Sequence, residues 1–133
     1  VKVYLDTNCV IYFVENHPVW CSRVIDRVTA IQLAQGELAV GDLTRAECLV
    51  GPFRKNDSGL EKRYRAFFSD PEIHVLGITA AICEQAARLR ATHSIKLPDA
   101  LHLATAIEHG CGLFLTNDAQ LARCTEIAVE ILK

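Results

Sequence analysis

The sequence predicts an α/β fold, a three-layer α/β/α sandwich around a central, mainly parallel sheet of four to five short strands. Three observations carry that prediction. Short apolar segments alternate with segments of helical periodicity from end to end. The short segments are apolar almost throughout, as strands are when helices cover both faces. Helical stretches separate the strands, so neighbouring strands pair in parallel through crossovers.

Residues 1–5 read as a buried strand rich in Val, Tyr and Leu. Residues 6–15 take helical spacing through Val10, Ile11, Phe13 and Val14, and His17-Pro18 breaks it. Residues 19–35 form a strong helix, with Pro18 suited to its first turn and Val24, Ile25, Val28, Ile31 and Leu33 recurring along it. Gly36 closes it, and residues 38–40 are a second strand. Thr44 opens the next helix, which Gly51-Pro52 stops. Residues 56–68 are a further helix, closed by Asp70-Pro71, and residues 73–76 a third strand. Residues 79–92 are helical, with Ile82, Ala86 and Leu89 on one face. Pro98 begins another helix, carrying Leu101, Leu103, Ala104 and Ile107, and Gly110 ends it. Residues 113–115 are a fourth strand, 119–123 a short helix and 127–132 a fifth strand.

The 133 residues suit one domain spanning 1–133. Half are hydrophobic and 23% charged, which argues against disorder. The net charge of -2, from 14 basic and 16 acidic residues, excludes a histone-like electrostatic binder of nucleic acid but not a local basic patch. No apolar run suits a membrane span, and Lys2 is followed by a short apolar stretch that Asp6 interrupts, so neither membrane insertion nor an export signal is expected. The chain contains no Met, which places the initiator outside this numbering. The six cysteines, at 9, 21, 48, 83, 111 and 124, are scattered, never paired as CxxC, and mostly set in apolar stretches such as those of Cys9, Cys83 and Cys111. They read as reduced, buried thiols of a cytoplasmic protein.

In parallel α/β sheets the site lies beyond the carboxyl ends of the strands. Asp6 directly follows the first strand, Glu47 stands in the first turn after the second, and Asp118 follows the fourth. Asp99 sits in the first turn of the helix begun by Pro98. Each acid alone is explained by helix capping: Thr44-x-x-Glu47 as a capping box, Asp6, Asp99 and Asp118 at helix starts. Four carboxylates on one sheet edge would repel one another, and crowded acids hold either protons or a cation. All-oxygen donors suit Mg²⁺ or Mn²⁺. Such an ion neutralises phosphate charge and lowers the pKa of water, which is phosphoryl chemistry. Asn8, Thr116 and Asn117 are polar neighbours able to orient ligands or water.

At these residues the chain resembles a PIN-domain nuclease, most closely the VapC-type toxins of toxin–antitoxin pairs. The resemblance rests on Leu5-Asp6-Thr7-Asn8, Thr44-x-x-Glu47, Leu97-Pro98-Asp99-Ala100 with Leu101-His102-Leu103-Ala104-Thr105-Ala106, and Leu115-Thr116-Asn117-Asp118. It implies catalytic and metal-binding roles for Asp6, Glu47, Asp99 and Asp118, and supporting polar roles for Thr7, Asn8, Thr116 and Asn117. It implies a Mg²⁺- or Mn²⁺-dependent endoribonuclease that leaves a 5′-phosphate and a 3′-hydroxyl. It also implies a homodimer, and inhibition by a cognate antitoxin whose segment covers the acidic site, an Arg or Lys pairing with the carboxylates.

An acidic site needs something to attract RNA. Arg54, Lys55, Lys62, Arg63 and Arg65 cluster around one predicted helix, as a phosphate-binding wall or as a solvated face with pairs such as Glu61 and Arg65. Arg45 and Lys96 lie nearer the acids in sequence. His102, three residues past Asp99, reads either as a general base or as a satisfied histidine on an apolar helix. Trp20, with Tyr12 and Phe13, reads as core or interface, and apolar surface near residues 10–33 suits a dimer partner or an antitoxin. Two rival functions stand beside the nuclease. A receiver domain or aspartyl phosphatase would want further acids, where this chain has Asn8. A PIN-like module that binds RNA or protein without cutting would need no complete acidic set.

Overall fold

The computed structural model describes residues 1–133. Its strands are β1 (Lys2–Leu5), β2 (Glu37–Gly41), β3 (Ile73–Leu76), β4 (Leu113–Thr116) and β5 (Ala128–Ile131). Its helices are α1 (Thr7–Val14), α2 (Trp20–Leu33), α3 (Asp42–Lys55), α4 (Ser58–Ser69), α5 (Ala80–His93) and α6 (Leu97–Glu108), with a 3-10 helix at Ala119–Arg123. All four strand pairings are parallel, in the order β3-β2-β1-β4-β5. The predicted three-layer sandwich is therefore the observed one.

The pleat of β1 divides the core. Val3 and Leu5 point to a layer packed with Val10, Val24, Cys48, Leu60 and Tyr64 from α1 to α4. Tyr4 points the other way, into Ile82, Ala86, Leu89, Leu103 and Phe114 beneath α5 and α6. The buried faces of α5 and β1 match the sequence pattern. The α1 and α2 stripes are narrower than expected, because Phe13, Ile25 and Leu33 are exposed, Leu33 by 81%. These helices each bury one seam against the sheet and leave flanking apolar residues outside. All six cysteines are free thiols, and Cys9, Cys48, Cys111 and Cys124 are buried, whereas Cys83, expected inside, is exposed on α5.

Helix α3 departs most from the expectation. It starts at Asp42, not Thr44, and runs through Gly51-Pro52 to Lys55. Proline disfavours a helical residue before it by clashing with that residue's Cβ. Gly51 has no Cβ, so the helix continues and Pro52 is buried in its last turns. It ends at Asn56, which takes the left-handed conformation at φ 51°. Thr44 consequently lies inside the first turn, where its hydroxyl accepts the Gly41 N–H at 3.1 Å.

The strand order places the topological switch between β1 and β4, from which the chain diverges to the two sheet edges. There the Asp6 N–H donates to the Leu115 carbonyl at 2.9 Å. Phe114 of β4, fully buried, stacks on Tyr4 of β1 with centroids 5.2 Å apart. Truncating it opens a cavity at this junction. The Phe114→Ala variant is expected to lose about 3–5 kcal/mol of stability, read as a lower urea midpoint with the slope unchanged.

Candidate active site

Four acids converge at the carboxyl edge of the sheet by four routes. Asp6 and Asp118 leave the ends of β1 and β4 on either side of the switch point. Glu47 lies in the second turn of α3, which departs from the end of β2. Asp99 comes from α6, whose N-terminus is returned to this edge because the helix feeds the start of β4.

Asp6 is 4% exposed. Its Oδ1 accepts the Thr7 N–H at 2.8 Å, capping α1. Its Oδ2 accepts the Thr116 hydroxyl at 2.7 Å and the Asn8 amide at 3.4 Å. The Asn8 amide also reaches Thr116, and its carbonyl accepts the Asn117 N–H at 3.3 Å. Asn117 in turn donates to the Tyr12 hydroxyl at 2.9 Å, and the Asp118 N–H donates to Thr116 at 3.0 Å. The polar residues expected to support the acids thus stitch the end of β1 to the end of β4.

The capping explanation divides the four. Asp6 caps α1, and Asp118 caps the 3-10 helix through the Gln120 N–H at 3.0 Å. It fails for Glu47, because Thr44 occupies the position from which a capping-box glutamate would reach back. Glu47 Oε1 instead accepts the Thr7 hydroxyl at 2.7 Å and His102 Nε2 at 2.5 Å, while Oε2 makes no hydrogen bond. It fails for Asp99 too, whose carboxylate makes none despite its place in the first turn of α6.

Charge couples the set. Burial raises the Asp6 carboxyl above its ordinary value. Asp99 is raised by burial and then by the charges of Asp6, Asp118 and Glu47. Burial would raise Glu47 as well, but the hydrogen bonds from His102 and Thr7 bring it below its ordinary value. No Lys or Arg pairs with any of the four, and His102 is the only basic group in contact.

The donor chemistry fits a hard divalent cation: oxygens only, with Asp99, Glu47 Oε2 and Asp118 Oδ2 unpartnered. The side chains as placed are not drawn into a closed ligand set, since no three of them surround a common point closely enough to hold an ion.

The basic residues assemble less completely. Arg54 and Lys55 occupy the last turn of α3, about 10 Å along the axis from Glu47. Arg65 is taken up by Glu61 at 2.8 Å, as an intrahelical pair, and Arg63 reaches the Val14 carbonyl at 3.4 Å. Lys62 and Lys96 are exposed, Lys96 immediately ahead of α6. Arg45 lies over the Phe68 ring at 5.0 Å. Sequence reading passed over Tyr4, whose hydroxyl contacts His102 Nδ1 at 2.8 Å. A lone tyrosine in an apolar strand and a lone histidine in an apolar helix each need a buried partner, and that need was the available signal.

A PIN domain model matches residues 3–127, nearly the whole chain. The chain belongs to the PIN domain family. Comparison with curated proteins gives no match. Among solved structures, this PIN domain is similar to a chain of VapBC2 from Rickettsia felis bound to a DNA fragment from their promoter, at 18% identity and TM-score 0.83, covering 100% of both chains. It is similar to a chain of a toxin–antitoxin complex from Klebsiella pneumoniae at 24% identity and TM-score 0.73, covering 95% of each. It is also similar to a chain of VapBC-1 from nontypeable Haemophilus influenzae at 22% identity and TM-score 0.74, covering 98% of each. At these identities the likeness establishes a shared fold.

The uncompensated charge has a measurable consequence. A carboxyl raised in the folded state favours folding below its unfolded pKa, and that contribution is lost as pH rises through the folded value. Asp99→Asn removes this penalty. In EDTA the variant is expected to melt at a higher temperature than wild type at pH 7, with the difference vanishing as pH falls below about 4.

Proposed function

We propose that this PIN domain is a metal-dependent endoribonuclease and the toxin of a toxin–antitoxin pair. The observation that carries the reading is the coupled acidic set at the switch point, in which Asp99 and one oxygen of Glu47 remain without a protein partner. Asp6, Glu47, Asp99 and Asp118 would hold Mg²⁺ or Mn²⁺. When bound, that ion supplies charge neutralisation at the phosphate and a lowered pKa for water.

The chain's own residues set up the rest. Thr116 and Asn8 hold Asp6 Oδ2, and Thr7 and His102 hold Glu47 Oε1, so both carboxylates present a fixed edge to the ligand. In the reaction water adds to phosphorus as the bond to the 3′-oxygen breaks, leaving a 5′-phosphate and a 3′-hydroxyl. Exposed Lys96, Lys62, Arg54 and Lys55, half-buried Arg45, and Arg63 on α4 contribute phosphate contacts that position RNA without reading its sequence.

The similar solved structures are toxin–antitoxin complexes matched over nearly their full chain length, which supports an antitoxin partner here. The exposed apolar residues Phe13, Val19, Ile25 and Leu33 on and beside α1 and α2 offer such a partner a surface. A homodimer in the cytoplasm completes the reading. No helix is long and apolar enough to cross a membrane.

One observation favours a second reading, a PIN-like module that binds RNA or protein without cutting: the acids are not drawn around a common point. Cleavage of several RNA classes in Mn²⁺, against EDTA, separates the two. Wild type is expected to cut only with metal. Asp6→Asn and Asp99→Asn are expected to lose about 100-fold or more, since a metal contributes several kcal/mol of charge stabilisation. Intact RNA throughout supports the binding module. Mutants that cut as well as wild type overturn the site assignment.

A further inference from the structure

His102 is 1% exposed, and both of its ring nitrogens are engaged. On one side stands the Tyr4 hydroxyl, on the other Glu47 Oε1, residues 98 and 55 positions away in sequence. Neither nitrogen keeps a lone pair facing solvent or substrate, which removes the histidine as a general base. What remains is a bridge joining β1, α6 and α3.

The direction of the bridge follows from Tyr4. The phenol is fully buried, with its hydroxyl 2.8 Å from Nδ1, the ring nitrogen turned away from Glu47, and the O–H donates there. Its acceptor is His102 Nδ1. A carboxylate only accepts, so Nε2 carries a ring proton facing Glu47. The hydroxyl has a slot made for it. A Cβ at residue 41 would stand 2.5 Å from the Tyr4 oxygen, so glycine is required where β2 ends. The Tyr4 ring is fixed by stacking on Phe114 and by an edge contact with His102, at 5.2 and 5.8 Å between centroids. Thr7 places a second donor on the same glutamate oxygen, at 2.7 Å. Two donors pin Oε1, and none reaches Oε2.

We infer that His102 is a positioning residue: oriented by Tyr4, it fixes Glu47 through Oε1 so that Oε2 faces the divalent ion. This rests on the reading above, under which the acids hold metal. A core histidine needs only to satisfy its own polar atoms. This one is aimed at a carboxylate of the acidic set, and at only one of its two oxygens.

Two measurements on the full chain test the inference. Long-range ¹H–¹⁵N correlation spectra of the metal-free protein at neutral pH read the tautomer directly. His102 is expected as the Nε2–H form, and an Nδ1–H form or a doubly protonated ring overturns the bridge as drawn. Binding of Mn²⁺ alone, followed by the electron paramagnetic resonance of the free ion, reads the consequence. His102→Leu is expected to raise the Kd about tenfold or more, as loss of a partner behind a ligand does. His102→Gln, which keeps a donor near the Nε2 position, is expected to stay within about threefold of wild type, a rescue that simple core filling does not produce. Equal affinity in His102→Leu and wild type overturns the inference, as does a failure of His102→Gln to rescue while it remains folded. A wild-type chain that shows the Nε2–H tautomer but binds no Mn²⁺ overturns the metal reading while supporting the hydrogen-bond bridge.

Discussion

The buried carboxylate of Asp6 is the constraint on which the acidic end depends. It sits where β1 and β4 part, and is accommodated there because Thr116, Asn8 and the Thr7 backbone all donate to it. A carboxylate taken from water without such donors is costly. Two of the donors open α1 directly after β1 and the third ends β4, so satisfying Asp6 also fixes the relative placement of the two strand ends. Asp118 and Asn117 inherit their positions from that junction.

Capping and site building are less opposed than single-residue reasoning makes them. Asp6 uses one oxygen to cap α1 and the other to tie β1 to β4. Asp118 caps the 3-10 helix. For these two, the local backbone amide holds a carboxylate rigid at the sheet edge. Glu47 and Asp99 escape capping for different reasons. Thr44 takes over the back-reach to Gly41, leaving Glu47 to turn toward Thr7 and His102. Asp99 accepts nothing, and the carboxylates of Asp6, Asp118 and Glu47 around it all bear its own sign of charge. Asp6 alone has both oxygens engaged, whereas Glu47, Asp118 and Asp99 each keep at least one oxygen open. Those open oxygens are the ones that would hold the divalent ion under the proposed chemistry.

The layer architecture and the functional edge of the sheet follow from residue pattern alone. Alternating apolar strands and periodic helices leave few other ways to bury both kinds of segment, and the motifs at Asp6, Glu47, Asp99 and Asp118 are local enough to read from their neighbours. Residue pattern misjudged the start and stop of α3, because whether Gly51-Pro52 breaks a helix depends on the glycine's missing Cβ and on the packing that buries Pro52. It misplaced Cys83 and overestimated the apolar stripes of α1 and α2, because burial is set by which face meets the sheet. The company each side chain keeps is set by packing instead. Tyr4, Glu47 and His102 lie on three elements far apart in sequence, and no periodicity carries information about a hydrogen bond that exists only once those elements have packed.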